Sequence, residues 1–258
     1  MVKQHPGLRK CATAVAGIAL GLFSATALQA QVTQVDYTSL TGTQSVSFAP
    51  VASGAAPGTN YDNVLILSGV GFGEHFSGQT VTANGDFDTI GGTPSGGLTL
   101  QPGSQGHNLD IFDHSLVGTL ITGLGPLGFP DGDAIGEGAV SLLFSTDQSE
   151  FGFRLAGGNG GNGYISFFRE DGSLIDSLTL GSLPPVSFFG FARDGGVHDI
   201  RGVSIWNDDV TGFGLSHFRY DVASALPEPG TWAMMIVGFG AIGLALRRRR
   251  SPALAQVA

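Results

Sequence analysis

An all-β fold, an antiparallel β-sandwich of jelly-roll type, is what this sequence predicts, and three observations predict it. Short runs of alternating apolar and polar residues recur through the middle of the chain, the pattern of strands with one buried face. Phe151, Phe153 and Leu155 fall on one side of such a run, with Gly152 and Arg154 on the other. Turn signals separate the runs. The clearest is Asp171-Gly172 between Phe168 and Leu174, since Asp-Gly suits the positive-φ turn that matches strand twist. Finally, no segment of ten or more residues before the C-terminal end keeps a helical apolar period.

Taken in order, Val46 and Phe48 alternate with serines, and Val64 to Leu67 is a continuous apolar run that suits a buried strand. Residues 59–130 are less regular, with long loops at 91–97 and 101–106. Strand patterns then follow at Phe151–Leu155, Tyr164–Phe168, Leu174–Leu180, Val186–Ala192, Ile200–Trp206 and Leu215–Tyr220, with Asp194-Gly195 as a second hairpin signal. About ten to twelve strands between residues 35 and 222 make one sandwich. A solenoid is the alternative, but no repeat of fixed period is present. Gly157 to Ile165, GGNGGNGYI, comes near a calcium-binding nonapeptide, yet occurs once and has Asn162 where aspartate belongs. It reads as a glycine-rich loop.

Residues 1–30 have the plan of a secretory signal peptide: basic Lys3, Arg9 and Lys10, then an apolar stretch, then a small-residue cleavage site with Ala30 before the cut bond. The exported domain is then 31–225. It has no cysteine, so no disulfide can staple it. It keeps five arginines against twenty carboxylates, a net charge near −15. That balance disfavours nucleic acid and anionic membrane surfaces and suits solubility or cation binding.

The stretch 226–250 has three parts. Pro227-Glu228-Pro229 is stiff and non-helical. An uncharged segment with Trp232 at its outer end follows, a short transmembrane helix over 231–246. Arg247, Arg248, Arg249 and Arg250 then form a basic stop, with 251–258 as a cytoplasmic tail. The apolar run Trp232–Leu246 covers roughly 22 Å against a hydrocarbon core of about 30 Å, short for a permanent anchor. These residues resemble the PEP-CTERM sorting signal of Gram-negative bacteria in its PEPxxWAMM…GFG…RRRR form. The resemblance implies an exosortase, an integral-membrane transpeptidase-like enzyme, as sorting partner. It implies passage through the inner membrane and delivery to the cell surface or an exopolysaccharide matrix. Leu226 to Gly230 also resembles the LPxTG sortase signal, but Pro229 stands where threonine belongs. A plain, uncut single-span anchor is the bland alternative. The order of strand motifs over 142–222 resembles the C-terminal half of jelly-roll domains often carried by PEP-CTERM proteins, themselves similar to carbohydrate-binding modules.

Catalysis has little support in the residues. There is no thiol nucleophile or lysine in 31–225, no Gly-x-Ser-x-Gly and no His-Glu-x-x-His. The expected reading is a non-enzymatic protein without a cofactor, with structural Ca²⁺ as an option. The candidate calcium donors are Asp131, Asp133 and Glu137 in one acidic loop, or Asp208 and Asp209 past a strand end. Trp206 could stack on a sugar ring; solvated turns and a core tryptophan are the competing readings. The function expected is an exported surface or matrix protein that binds glycan or ions. The alternatives are a structural envelope protein on an uncut anchor and a glycan hydrolase.

Overall fold

Period-two alternation makes the strands, and the faces they bury set how the sheets stack. The computed structural model describes residues 31–221, 236–240 and 242 of the 258. Its strands are β1 (Val32–Val35), β2 (Thr59–Tyr61), β3 (Leu65–Leu67), β4 (Val70–Gly73), β5 (His75–Phe76), β6 (Thr80–Asn84), β7 (Phe87–Gly91), β8 (Leu100–Gln101) and β9 (Leu109–His114). There follow β10 (Gly118–Leu124), β11 (Ile135–Gly138), β12 (Val140–Gln148), β13 (Glu150–Ala156), β14 (Gly163–Phe168), β15 (Leu174–Leu180), β16 (Val186–Arg193), β17 (Ile200–Asn207) and β18 (Gly214–Tyr220).

Two antiparallel sheets form the sandwich. The first runs β1-β16-β13-β18-β10-β9-β2, with β11 also beside β10; the second runs β15-β14-β17-β12-β4-β3. From β12 onward the chain crosses between sheets at nearly every step, and only the β14–β15 hairpin stays in one sheet. This is the sandwich the sequence predicts, with the cross-sheet alternation of a jelly roll. Between the sheets lie Phe72, Phe144, Phe151, Phe153, Phe167, Phe191 and Phe218, all fully buried. Their rings meet at centroid distances such as 5.5 Å for Phe144–Phe151 and 5.5 Å for Phe72–Phe218, within the range of favourable aromatic pairs.

A smaller layer covers the outer face of the second sheet. The paired strands β5 and β8, the β6–β7 hairpin and the chain around Leu98 lie over positions that are small: Gly71, Gly73, Ser141, Gly202 and Ser204. A Cβ at Gly202 would stand 2.6 Å from both Leu98 and Phe76, so a side chain there would lift the layer off. Phe76, Leu100 and Phe168 make its apolar core. The Ser204 hydroxyl reaches Gln79 at 3.3 Å, and the same Gln79 oxygen accepts from the Phe76 N–H at 2.8 Å. This contact pins the layer down.

Several expectations need correction. Val64 to Leu67 is not a buried strand: Leu65–Leu67 is the edge of its sheet and Ile66 is 73% exposed. Val46 and Phe48 pack against the core from an irregular segment. Asp194-Gly195 makes a 3-10 turn carrying the chain from β16 in one sheet to β17 in the other, not a hairpin. Residues 59–130 hold nine strands, most of five residues or fewer, too short to show a period. The Asp171-Gly172 hairpin is present, with Gly172 at φ 84°.

In β18 one residue is inserted. Gly152 faces Arg219 while Arg154 faces Ser216, so two residues of β13 span three of β18. His217 is the extra residue, at φ 49°, a β-bulge on a non-glycine residue. The bulge lets Leu215, Phe218 and Tyr220 all face the core and turns His217 outward.

Among the described residues no helix is long and apolar enough to cross a membrane. Residues 236–240 are helical, with Ile236, Val237 and Phe239 exposed.

Candidate functional site

The loop between β13 and β14 and the loop after β17 meet at one end of the sandwich, and two aspartates fasten them. Asp209 is fully buried. Its carboxylate accepts from the N–H groups of Asn159 (2.7 Å) and Gly161 (2.8 Å), and from the N–H (3.2 Å) and hydroxyl (2.8 Å) of Thr211. Gly161 must be glycine, because a Cβ there would stand 2.5 Å from the Asp209 Cα. Asp208 accepts from the Asn162 N–H at 2.6 Å, its side-chain amide at 3.2 Å and the Tyr164 hydroxyl at 2.8 Å. That last bond raises the Tyr164 hydroxyl pKa. The glycine-rich loop is thus fastened by the Asp208 and Asp209 carboxylates. Replacing Asp209 with alanine leaves several N–H groups unsatisfied and should cost roughly 3 kcal/mol. Urea unfolding measures that cost, and limited proteolysis should show new cleavage within 157–162.

Trp206, the last residue but one of β17, lies directly beside Tyr164 of β14, its cross-strand partner. The two rings stack with centroids 5.7 Å apart and planes at 22°. Both are half-buried on the outer face of the second sheet, so Trp206 is not a core residue. Tyr164 was not legible as part of a site, since only the β14–β17 register places it next to Trp206.

The other predicted acids are placed differently. Asp131 caps the 3-10 turn Gly132–Ala134, accepting from the Asp133 N–H at 3.0 Å. Asp131 and Asp133 are exposed, whereas Glu137 lies buried in β11 with one carboxyl oxygen unpartnered. Burial, with repulsion from Asp86, Asp133 and Asp131, pushes the Glu137 carboxyl up to about 7. Among the described residues no group of three or more His, Cys, Asp or Glu side chains is placed to hold a metal. The side chains of Asp131, Asp133 and Glu137 are not brought together as such a group. Asp208 and Asp209 spend their oxygens on N–H and O–H donors, and Glu137 points away from solvent.

Two further buried carboxylates escaped sequence reasoning. Asp88 of β7 is pushed up to about 7 by burial and by Glu74, with His107 partly offsetting. Asp110 of β9 is fully buried with neither oxygen in a hydrogen bond of standard geometry, and burial raises it to about 7, with the N–H groups of Ile111 and Thr59 partly offsetting. Its cross-strand neighbours Asn60 and Thr122 each hold an unpartnered buried oxygen too.

The predicted cleavage residue Ala30 and the sorting residues Pro227, Glu228, Pro229, Trp232 and Arg247 to Arg250 lie outside the described residues. No curated protein matches the chain significantly. Residues 225–250 match the family model of the PEP-CTERM protein-sorting motif, the stretch that carries the Pro-Glu-Pro, the apolar run and the arginines. The chain thus carries a PEP-CTERM sorting motif at 225–250, and that motif indicates an exported protein sorted to the cell surface with an exosortase as sorting partner.

Proposed function

We propose that this is a non-catalytic surface or matrix protein whose sandwich binds glycan, and whose tail is removed near 227–230 after a transient stay in the inner membrane. The observation that carries the binding reading is the Tyr164–Trp206 stack. The stacked pair, half-buried and flanked by Asn162 and Asp208, offers an apolar surface with hydrogen-bonding groups at its rim. Binding rather than hydrolysis is supported by the acids: Asp88, Asp110 and Glu137, whose raised pKa values would suit a general acid, are buried, and none lines the recesses beside Phe188, Leu143 or Phe112.

Two measurements test this. Trp206→Ala should weaken binding to the host's matrix polysaccharide by about tenfold, as loss of one well-packed aromatic anchor does, and leave folding intact. Turnover of that polysaccharide would instead identify a hydrolase. The intact mass of the surface protein should lack 232–258 in normal cells and retain it without the exosortase. Glu228→Ala should leave insertion unchanged and reduce cutting. A surface form that keeps 232–258 in normal cells identifies a permanent anchor.

A further inference from the structure

The described domain has five arginines, and three of them are paired with carboxylates. Arg169 and Arg193 share Asp199 at 2.9 and 2.6 Å, and Arg201 meets Asp147 at 2.7 Å. Arg154 and Arg219 form no ion pair among the described residues. Arg154 bonds the Ser216 hydroxyl through Nε at 3.1 Å and the Val117 carbonyl through Nη2. Arg219 bonds the Gly42 carbonyl through Nε at 2.6 Å. This leaves three terminal guanidinium nitrogens without an acceptor among the described residues, in a domain where carboxylates outnumber arginines four to one.

The two lie together on the outer face of the first sheet. Arg219 is opposite Gly152 and Arg154 is opposite both Ser216 and Phe188. The turn Tyr37–Ser39 sits over this face because Gly152 and Gly190 leave room: a Cβ at Gly152 would stand 2.9 Å from the Tyr37 ring. The bulge fixes Tyr37, whose hydroxyl donates to the His217 carbonyl at 2.7 Å. Burial raises the Tyr37 hydroxyl pKa while Arg219 and Arg154 both lower it, so both charges lie near that oxygen.

Beside them is an exposed aromatic surface. Tyr37 and Phe188 have centroids 4.9 Å apart, and Phe188 meets His217 edge-on at 6.1 Å. Phe188 is 47% exposed, and Val186, two residues along the same face, is as open. An open recess of about 780 Å³, lined by Gln34, Val35, Asp36, Tyr37, Thr38 and Phe188, adjoins the rings. Asp36 is the carboxylate on its rim, and one oxygen already accepts from Thr38 N–H and hydroxyl. Glu150, further along β13, is turned to the Gly42 N–H and the Thr41 hydroxyl.

We propose that this face binds an acidic polysaccharide, a polymer of uronic acid units. The apolar C–H face of a pyranose packs on Tyr37 and Phe188, as on any exposed ring. The carboxylate meets Arg154 and Arg219, whose planar donors match its geometry. Charge complementarity is local: the domain as a whole repels anions, and this face presents its unpaired cations. The site is on the opposite sheet from Tyr164 and Trp206 and does not depend on them.

The test titrates the full-length chain in detergent micelles with polygalacturonate and, separately, with fully methyl-esterified polygalacturonate. The acid polymer should bind, and the ester at least tenfold more weakly. R154Q/R219Q should lose at least tenfold, Phe188→Ala several-fold, and Trp206→Ala nothing. Should R154Q/R219Q not fold, the ester comparison and the exposed-site Phe188→Ala still decide. Equal binding of acid and ester, unchanged binding by R154Q/R219Q, or no binding at all overturns the proposal. Self-association of the wild type, abolished in R154Q/R219Q, would make the face a contact between copies and overturn it equally. Loss on Trp206→Ala alone would count against this site while supporting the first.

Discussion

Replacing Phe151 with alanine is expected to destabilise the domain by about 3–5 kcal/mol, the usual cost of emptying a buried phenylalanine site. Phe151 is fully buried at the middle of the aromatic core. It lies 5.5 Å from Phe144, 5.6 Å from Phe153 and 6.3 Å from Phe218, ring centre to ring centre. These neighbours come from β12, β13 and β18, so the void touches both sheets and cannot close by moving one side chain. The region has no disulfide to compensate. Chemical denaturation measures the loss, and Phe188→Ala serves as its control. Phe188 is half-exposed, so its removal should cost under about 1 kcal/mol.

Stability should also fall as pH rises through neutrality. Asp88, Asp110 and Glu137 each have a folded pKa of about 7, raised chiefly by burial. A carboxyl whose folded pKa is raised favours the fold while it is protonated. That contribution is full below the unfolded value near 4 and is lost as pH climbs through about 7. For Asp110 the shift corresponds to an upper figure on the order of 4 kcal/mol. Asp36, Asp62 and Asp171 act in the opposite sense, because hydrogen bonds from Thr38, Gly106 and Ser173 lower them; their contribution is lost in stronger acid. The unfolding midpoint should therefore peak on the acid side of neutrality. Asp110→Asn should raise it at about pH 8 and flatten the profile. A midpoint that rises steadily from pH 5 to pH 8, with Asp110→Asn no better than wild type, would count against this ionisation scheme.

What the sequence reveals depends on how local the deciding interaction is. Strands such as β13 and β16 are legible because seven or eight alternating residues declare a face. The β14–β15 hairpin is legible because one Asp-Gly pair makes it. The small outer layer is not, since Gly71, Gly73 and Gly202 look like generic turn residues until Leu98 and Phe76 are seen above them. The same limit holds for sites. Trp206 stands out as the one tryptophan of 31–225, but Tyr164 joins it only through register. Asp208 and Asp209 read as metal donors because their partners, Asn159, Gly161 and Asn162, are about fifty residues away in the chain. The sorting motif is legible because its parts are consecutive.

The last strand of the sandwich is not at an edge. β18 lies between β13 and β10 in the middle of the larger sheet, and the sorting motif begins five residues after Tyr220, at residue 225. Without residues 214–220 the strands β1-β16-β13 and β10-β9-β2 would share no ladder, so a truncation that reached back past Tyr220 would split the larger sheet at its centre instead of trimming an edge.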